Sequence, residues 1–125
     1  MRKIIIFLLL IMFILTGCKV KNQEKPDYSE YLFTDVSWIR DSEYDTETIS
    51  FKSDGTFSYF CACGNPVNGA DLCETYTYND RTKEIKLNCS ETTEETITNI
   101  KIINSSETTL ELDFAGEIRI FNIEK

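Results

Sequence analysis

Five cysteines, no histidine and a surplus of carboxylates bound the chemistry open to this chain. The cysteines are Cys18, Cys61, Cys63, Cys73 and Cys89. Thiols of this kind can hold a metal, attack as nucleophiles, cycle between dithiol and disulfide, or cross-link the fold. A structural zinc site uses knuckles of two cysteines separated by two to four residues. Cys61 and Cys63 are separated by Ala62 alone, and Cys73 and Cys89 form no knuckle. The redox dithiol motif has two intervening residues and sits near a helix, so Cys61-Ala62-Cys63 fits it poorly. Without histidine, the commonest general base and transition-metal ligand is missing. Serine–histidine and cysteine–histidine catalysis cannot be built from this chain. Asp54, Asp71, Glu74 and Asp80 could act as acid and base if two lay close together. No spacing selects a pair, and Asp54 and Asp80 sit where turns require them. The EF-hand calcium pattern is also absent. These residues describe a chain that is not an enzyme and uses neither a metal nor a cofactor.

Cys18 stands apart from the other four. It follows Arg2, Lys3 and an unbroken apolar run from Ile4 to Leu15. Twelve residues of helix would span roughly 18 Å, short of the roughly 30 Å hydrocarbon core of a bilayer. The run is therefore read as a secretory signal helix rather than a membrane span. Leu15-Thr16-Gly17-Cys18 resembles the lipobox of bacterial lipoproteins. That resemblance implies cleavage before Cys18, diacylation of its thiol with fatty chains such as palmitate, and a membrane anchor through that lipid. The abundance of Ile, Lys, Asn and Glu suggests an AT-rich genome. A Gram-positive host follows, with the protein on the outer face of its cytoplasmic membrane.

Removing residues 1–17 leaves 108 residues, enough for one domain. The 11 basic residues that remain face 21 acidic ones, a formal charge of −10. Nucleic acid is excluded as a partner, since binding it needs basic surface. An anionic membrane would also repel this surface, leaving the lipid as the anchor. Basic proteins suit it. Four cysteines, an even number, remain in an exported chain, the setting in which disulfides form.

Residues 18–35 read as a flexible tether behind the lipidated cysteine, polar and mixed in charge. Tyr28, Tyr31, Leu32 and Phe33 are apolar enough to dock on the domain as a short helical turn. Residues 36–125 read as strands. The first covers residues 36–40 and the second 47–52. Ser53-Asp54-Gly55 then forms a three-residue hairpin loop with Gly55 left-handed, which sets Phe51 opposite Phe57 and Ile49 opposite Tyr59. That register keeps the apolar side chains on one face, and a one-residue slip would invert it. Further strands follow at residues 56–63, 73–78, 83–89, 96–103, 110–114 and 117–123. The phase of Ile97 against Ile100 and Ile102 points to a bulge or late start in the sixth.

Eight short strands joined by hairpin-length turns predict an all-β, antiparallel, up-and-down barrel. Trp38, the Ile49-Ser50-Phe51 to Thr56-Phe57 hairpin, Tyr76-Thr77-Tyr78, Ile85-Lys86-Leu87 and Leu110-Glu111-Leu112 resemble the small bacterial lipocalin-like lipoproteins. Val36 stands where lipocalins commonly carry a glycine. The resemblance implies ligand binding inside the barrel. Phe51, Phe57, Tyr59, Tyr76 and Tyr78 share the inward phase and are the expected lining, of a small apolar ligand's cavity or of a filled core.

If the third and fourth strands form a hairpin, Cys63 faces Cys73. Cys63–Cys73 with Cys61–Cys89 is then the expected pairing. It places the second pair about 10 Å apart across two strands, so Cys61–Cys73 with Cys63–Cys89 is the alternative. Cys61–Cys63 is the least expected, because a bridge between residues two apart on a strand is too strained to close easily. The function expected is a lipid-anchored, non-catalytic binding module for a small apolar molecule, an envelope component or a basic protein. Lysozyme inhibition by a disulfide-bonded barrel is an analogous alternative.

Overall fold

The computed structural model describes residues 24–125. The signal helix, the lipobox and Cys18 lie outside the described residues. Eight antiparallel strands follow in order: β1 (Val36–Asp41), β2 (Thr46–Phe51), β3 (Phe57–Ala62), β4 (Cys73–Asn79), β5 (Glu84–Cys89), β6 (Asn99–Ser105), β7 (Thr109–Phe114) and β8 (Glu117–Ile123). The all-β barrel expected from the spacing is present, and its architecture is compatible with a lipocalin-like fold.

Turn chemistry fixes the hairpins. Between β2 and β3, Phe51 pairs with Phe57 and Ile49 with Tyr59, as the hydrophobic phase requires. Gly55 has φ +90°, the left-handed conformation that the loop needs and that glycine adopts without steric cost. Ala115 and Gly116 both have positive φ between β7 and β8, and the Asp113 carboxylate accepts from the Gly116 N–H at 2.7 Å. β6 begins only at Asn99, and its register slips between Ile102 and Asn104. The late start accounts for the phase change, since Ile97 lies before the strand, whereas the bulge falls beyond Ile102.

The strand order is β3-β2-β1-β8-β7-β6-β5-β4. β1 pairs with β8 through Trp38–Ile123 and Ile39–Asn122, so the first and last strands lie side by side within the sheet. The edges are β3 and β4. They meet through one bridge, Thr56 to Thr75, reinforced by the Tyr76 N–H donating to the Gly55 carbonyl at 2.9 Å. The barrel is therefore nearly closed, with a seam that opens along β3 toward Cys61. A short 3-10 turn, Ala70–Leu72, sits against that opening; composition alone reads this stretch as loop.

Inward positions carry the core. Trp38, Ile49, Phe51, Ile85, Leu110, Leu112 and Phe121 are fully buried. The Trp38 indole N–H donates to the Phe33 carbonyl at 2.9 Å, so the buried ring leaves no donor unpaired. Tyr28, Tyr31 and Phe33 dock on the barrel, whereas Leu32 turns outward, 53% exposed.

Candidate functional site

One end of the barrel is filled with aromatic rings. Phe51 lies 5.3 Å from Phe57 and 5.2 Å from Tyr76, centroid to centroid. Phe33 reaches over Phe51 at 5.5 Å and Tyr78 at 4.9 Å, and Tyr28 stacks on Tyr76 at 5.2 Å. The Tyr76 hydroxyl donates to the Lys52 carbonyl at 2.7 Å, and the Tyr78 N–H donates to the Tyr28 hydroxyl. Four of the five expected lining residues, Phe51, Phe57, Tyr76 and Tyr78, thus come together, and they pack on residues 28–33 of their own chain.

The fifth, Tyr59, belongs to the opposite end. There the inward phase of β2 carries Glu47 and that of β8 carries Arg119, each 2% exposed. Arg119 Nη1 donates to Glu47 Oε1 at 2.6 Å, and Nη2 donates to the Asn65 carbonyl at 3.0 Å. Glu117 takes two further bonds from the same guanidinium at 3.2 Å. The Tyr59 hydroxyl donates to Glu47 at 2.7 Å and accepts from the Val67 N–H at 2.9 Å. Arg40, directly opposite Glu47 in the β1–β2 register, adds an ion pair at 3.4 Å. Arg119 also lies 5.7 Å from the Phe114 ring centre, a cation–π distance. Among the described residues no buried side-chain polar atom lacks a hydrogen-bond partner. Burial works against the Arg119 charge, but its bonds to Glu117 and Glu47 outweigh this and raise its pKa.

These contacts hold residues 64–68 across the barrel end. The Gly64 N–H donates to Asp45 and the Ile97 N–H to the Asn68 carbonyl. Glu47 and Arg119 have no place in the expectations drawn from the chain. Their signal was alternation: Glu47 is in phase with Ile49 and Phe51, and Arg119 with Phe121 and Ile123.

Burial raises the pKa of Tyr59, with the bond to Glu47 adding to it, and burial also raises Tyr76, with Tyr28 nearby. Both folded values exceed the ordinary 10.0. The folded state therefore holds these phenolic protons more tightly than the unfolded chain. Their contribution to stability is complete below pH 10 and is lost as pH rises above it. Absorbance at 295 nm should show Tyr59 and Tyr76 ionising only as the barrel unfolds. Tyr59→Phe and Tyr76→Phe should each remove one late-ionising group.

The cysteines depart from the expected pairing. The disulfides are Cys73–Cys89 and Cys61–Cys63. Cys63–Cys73 fails because β3 and β4 separate at the seam instead of forming a hairpin there. Cys73 turns inward, 4% exposed, and meets Cys89 directly across the β4–β5 register. Cys61–Cys63 closes because β3 ends at Ala62. The chain bends at Cys63, which brings the two Cα atoms to 5.3 Å, within disulfide range.

Beside Cys61 the open seam forms a groove of about 300 Å³, lined by Tyr59, Phe60, Cys61, Pro66 and Asp71. Phe60 is 63% exposed and Leu72 on the neighbouring turn is 41% exposed. Among the described residues no group of three metal-ligating side chains converges, and no helix is long and apolar enough to cross a membrane. No family model matches this chain, and no curated protein or solved structure is significantly similar to it.

Proposed function

We propose that this is a lipid-anchored, extracytoplasmic barrel that binds a basic envelope protein without catalysing a reaction. The groove at the β3–β4 seam carries this reading. It joins an exposed aromatic, Phe60, to a carboxylate, Asp71, beside a strand edge whose next strand parts from it. The strongly acidic mature chain favours a basic partner over a nucleic acid or a bare anionic membrane. Ligand binding in the interior has less support. Most of the aromatics that would line such a site are in contact with one another and with residues 28–33.

The anchor is tested on Cys18. Cys18→Ser should abolish incorporation of labelled palmitate and move the protein from the membrane fraction to the soluble fraction. Retention of both label and membrane would end the lipoprotein reading. The binding surface is tested by photo-cross-linking in cells. A photoreactive residue at position 60 should yield one discrete adduct with a basic protein, and one at position 120, on the outer face of β8, should not. No adduct at 60, or equal adducts at both, would count against the groove. Unchanged hydrolysis by a basic lysozyme at excess barrel would remove the inhibitor alternative.

A further inference from the structure

We propose that Cys61 and Cys63 form an exchangeable disulfide that accepts two electrons from the paired thiols of an exported protein docked in the seam groove. The inference rests on the groove as the docking surface and adds a covalent step to it.

The two disulfides are placed differently. Cys73–Cys89 ties two paired strands beneath the Ala70–Leu72 turn and spans 16 positions, with Cys73 facing the core. Cys61–Cys63 spans 2, lies at the end of an edge strand, and both cysteines are half-buried. A bridge this short removes little freedom from the unfolded chain, so it is a poor staple. Both cysteines are nonetheless only partly covered, and access is one of the conditions for thiol–disulfide exchange. Cys61 forms part of the groove wall, between exposed Phe60 and Pro66, where an incoming segment can lie.

The surrounding loop does not depend on this bridge for its place. Gly64 is held by Asp45, Asn65 by Arg119 and Val67 by Tyr59. Opening the disulfide therefore frees two thiols while the barrel end stays covered.

A partner thiolate attacks Cys61 Sγ, the Cys61–Cys63 bond breaks, and Cys63 leaves as a thiolate that takes a proton from water. The partner's second thiol gives its proton to water and attacks its own sulfur in the mixed disulfide, and Cys61 departs as a thiolate and is protonated. The partner ends as a disulfide and the barrel as a dithiol. Each barrel reacts once unless another exported thiol oxidant restores it.

The test uses the oxidised mature chain made soluble by Cys18→Ser. It is equilibrated with graded dithiothreitol, and separately with a reduced peptide carrying two cysteines between basic residues. Thiols are then alkylated and located by mass spectrometry. Cys61 and Cys63 should label at dithiothreitol concentrations about tenfold or more below those that open Cys73 and Cys89. One equivalent of oxidised peptide should form per barrel, and none with Cys61→Ser/Cys63→Ser. Phe60→Ser, which removes the aromatic without adding charge, should slow the peptide reaction several-fold. Simultaneous opening of both pairs, or labelling of Cys61 and Cys63 before any reductant is added, would overturn the exchangeable disulfide. If dithiothreitol opens the pair selectively but the peptide is not oxidised, or Phe60→Ser reacts at an unchanged rate, docking in the groove is wrong and the labile bridge stands.

Discussion

Replacing Arg119 by methionine should lower the stability of the barrel by about 3–5 kcal/mol, the cost of removing one partner from a buried ion pair. The loss has a specific origin. Glu47 is 2% exposed and receives its shortest charged bond, at 2.6 Å, from Arg119. Without that guanidinium the carboxylate keeps the Tyr59 hydroxyl and Arg40 at 3.4 Å, which places the effect toward the lower end of the range. The reverse change, Glu47→Leu, should cost less, because Arg119 retains Glu117 and the Asn65 carbonyl. The double variant Glu47→Leu/Arg119→Met should recover most of the loss, since apolar replacements for a buried pair are often neutral or stabilising. Equilibrium urea unfolding of the three variants gives the comparison. If Arg119→Met stayed within about 1 kcal/mol of the parent, the pair would behave as a surface salt bridge instead.

Cys73→Ala/Cys89→Ala should cost about 3 kcal/mol, the loop-closure contribution of a bridge across some fifteen residues. For a domain of this size that corresponds to a fall in Tm of roughly 10–20 °C. The buried position of Cys73 adds a packing loss to the entropic one. Cys61→Ala/Cys63→Ala opens a far shorter loop and should cost only about half as much. Calorimetry of both double variants separates the staple from the short bridge. Equal losses would mean that loop length does not govern these two disulfides.

What could be read in the chain was local. The Ser53-Asp54-Gly55 loop follows from the alternation of Ile49, Phe51, Phe57 and Tyr59 together with one residue free to adopt positive φ. The bounds of β8 coincide with those expected, because Ala115-Gly116 marks its start and alternation carries it to Ile123. The pairing of the cysteines was less accessible. It depends on where the barrel opens, and turn composition does not report whether β3 and β4 stay together over their length. The buried charges were hidden for a related reason. Glu47 and Arg119 each look like an ordinary strand residue, and their compensation joins positions 72 apart. The groove combines both difficulties, since it exists only where the seam parts.

The pairing of β1 with β8 sets an order of events for folding. Residues 36–62 can form two hairpin contacts among themselves, but the free side of β1 has no partner until Asn122 and Ile123 are present. Such a long closure is slow compared with hairpin formation. A chain emerging N-terminus first must therefore remain incompletely folded until Asn122 and Ile123 arrive. The contact that joins the two halves of the sheet is thus made after every hairpin within them, and the barrel stays an open sheet until β8 docks on β1.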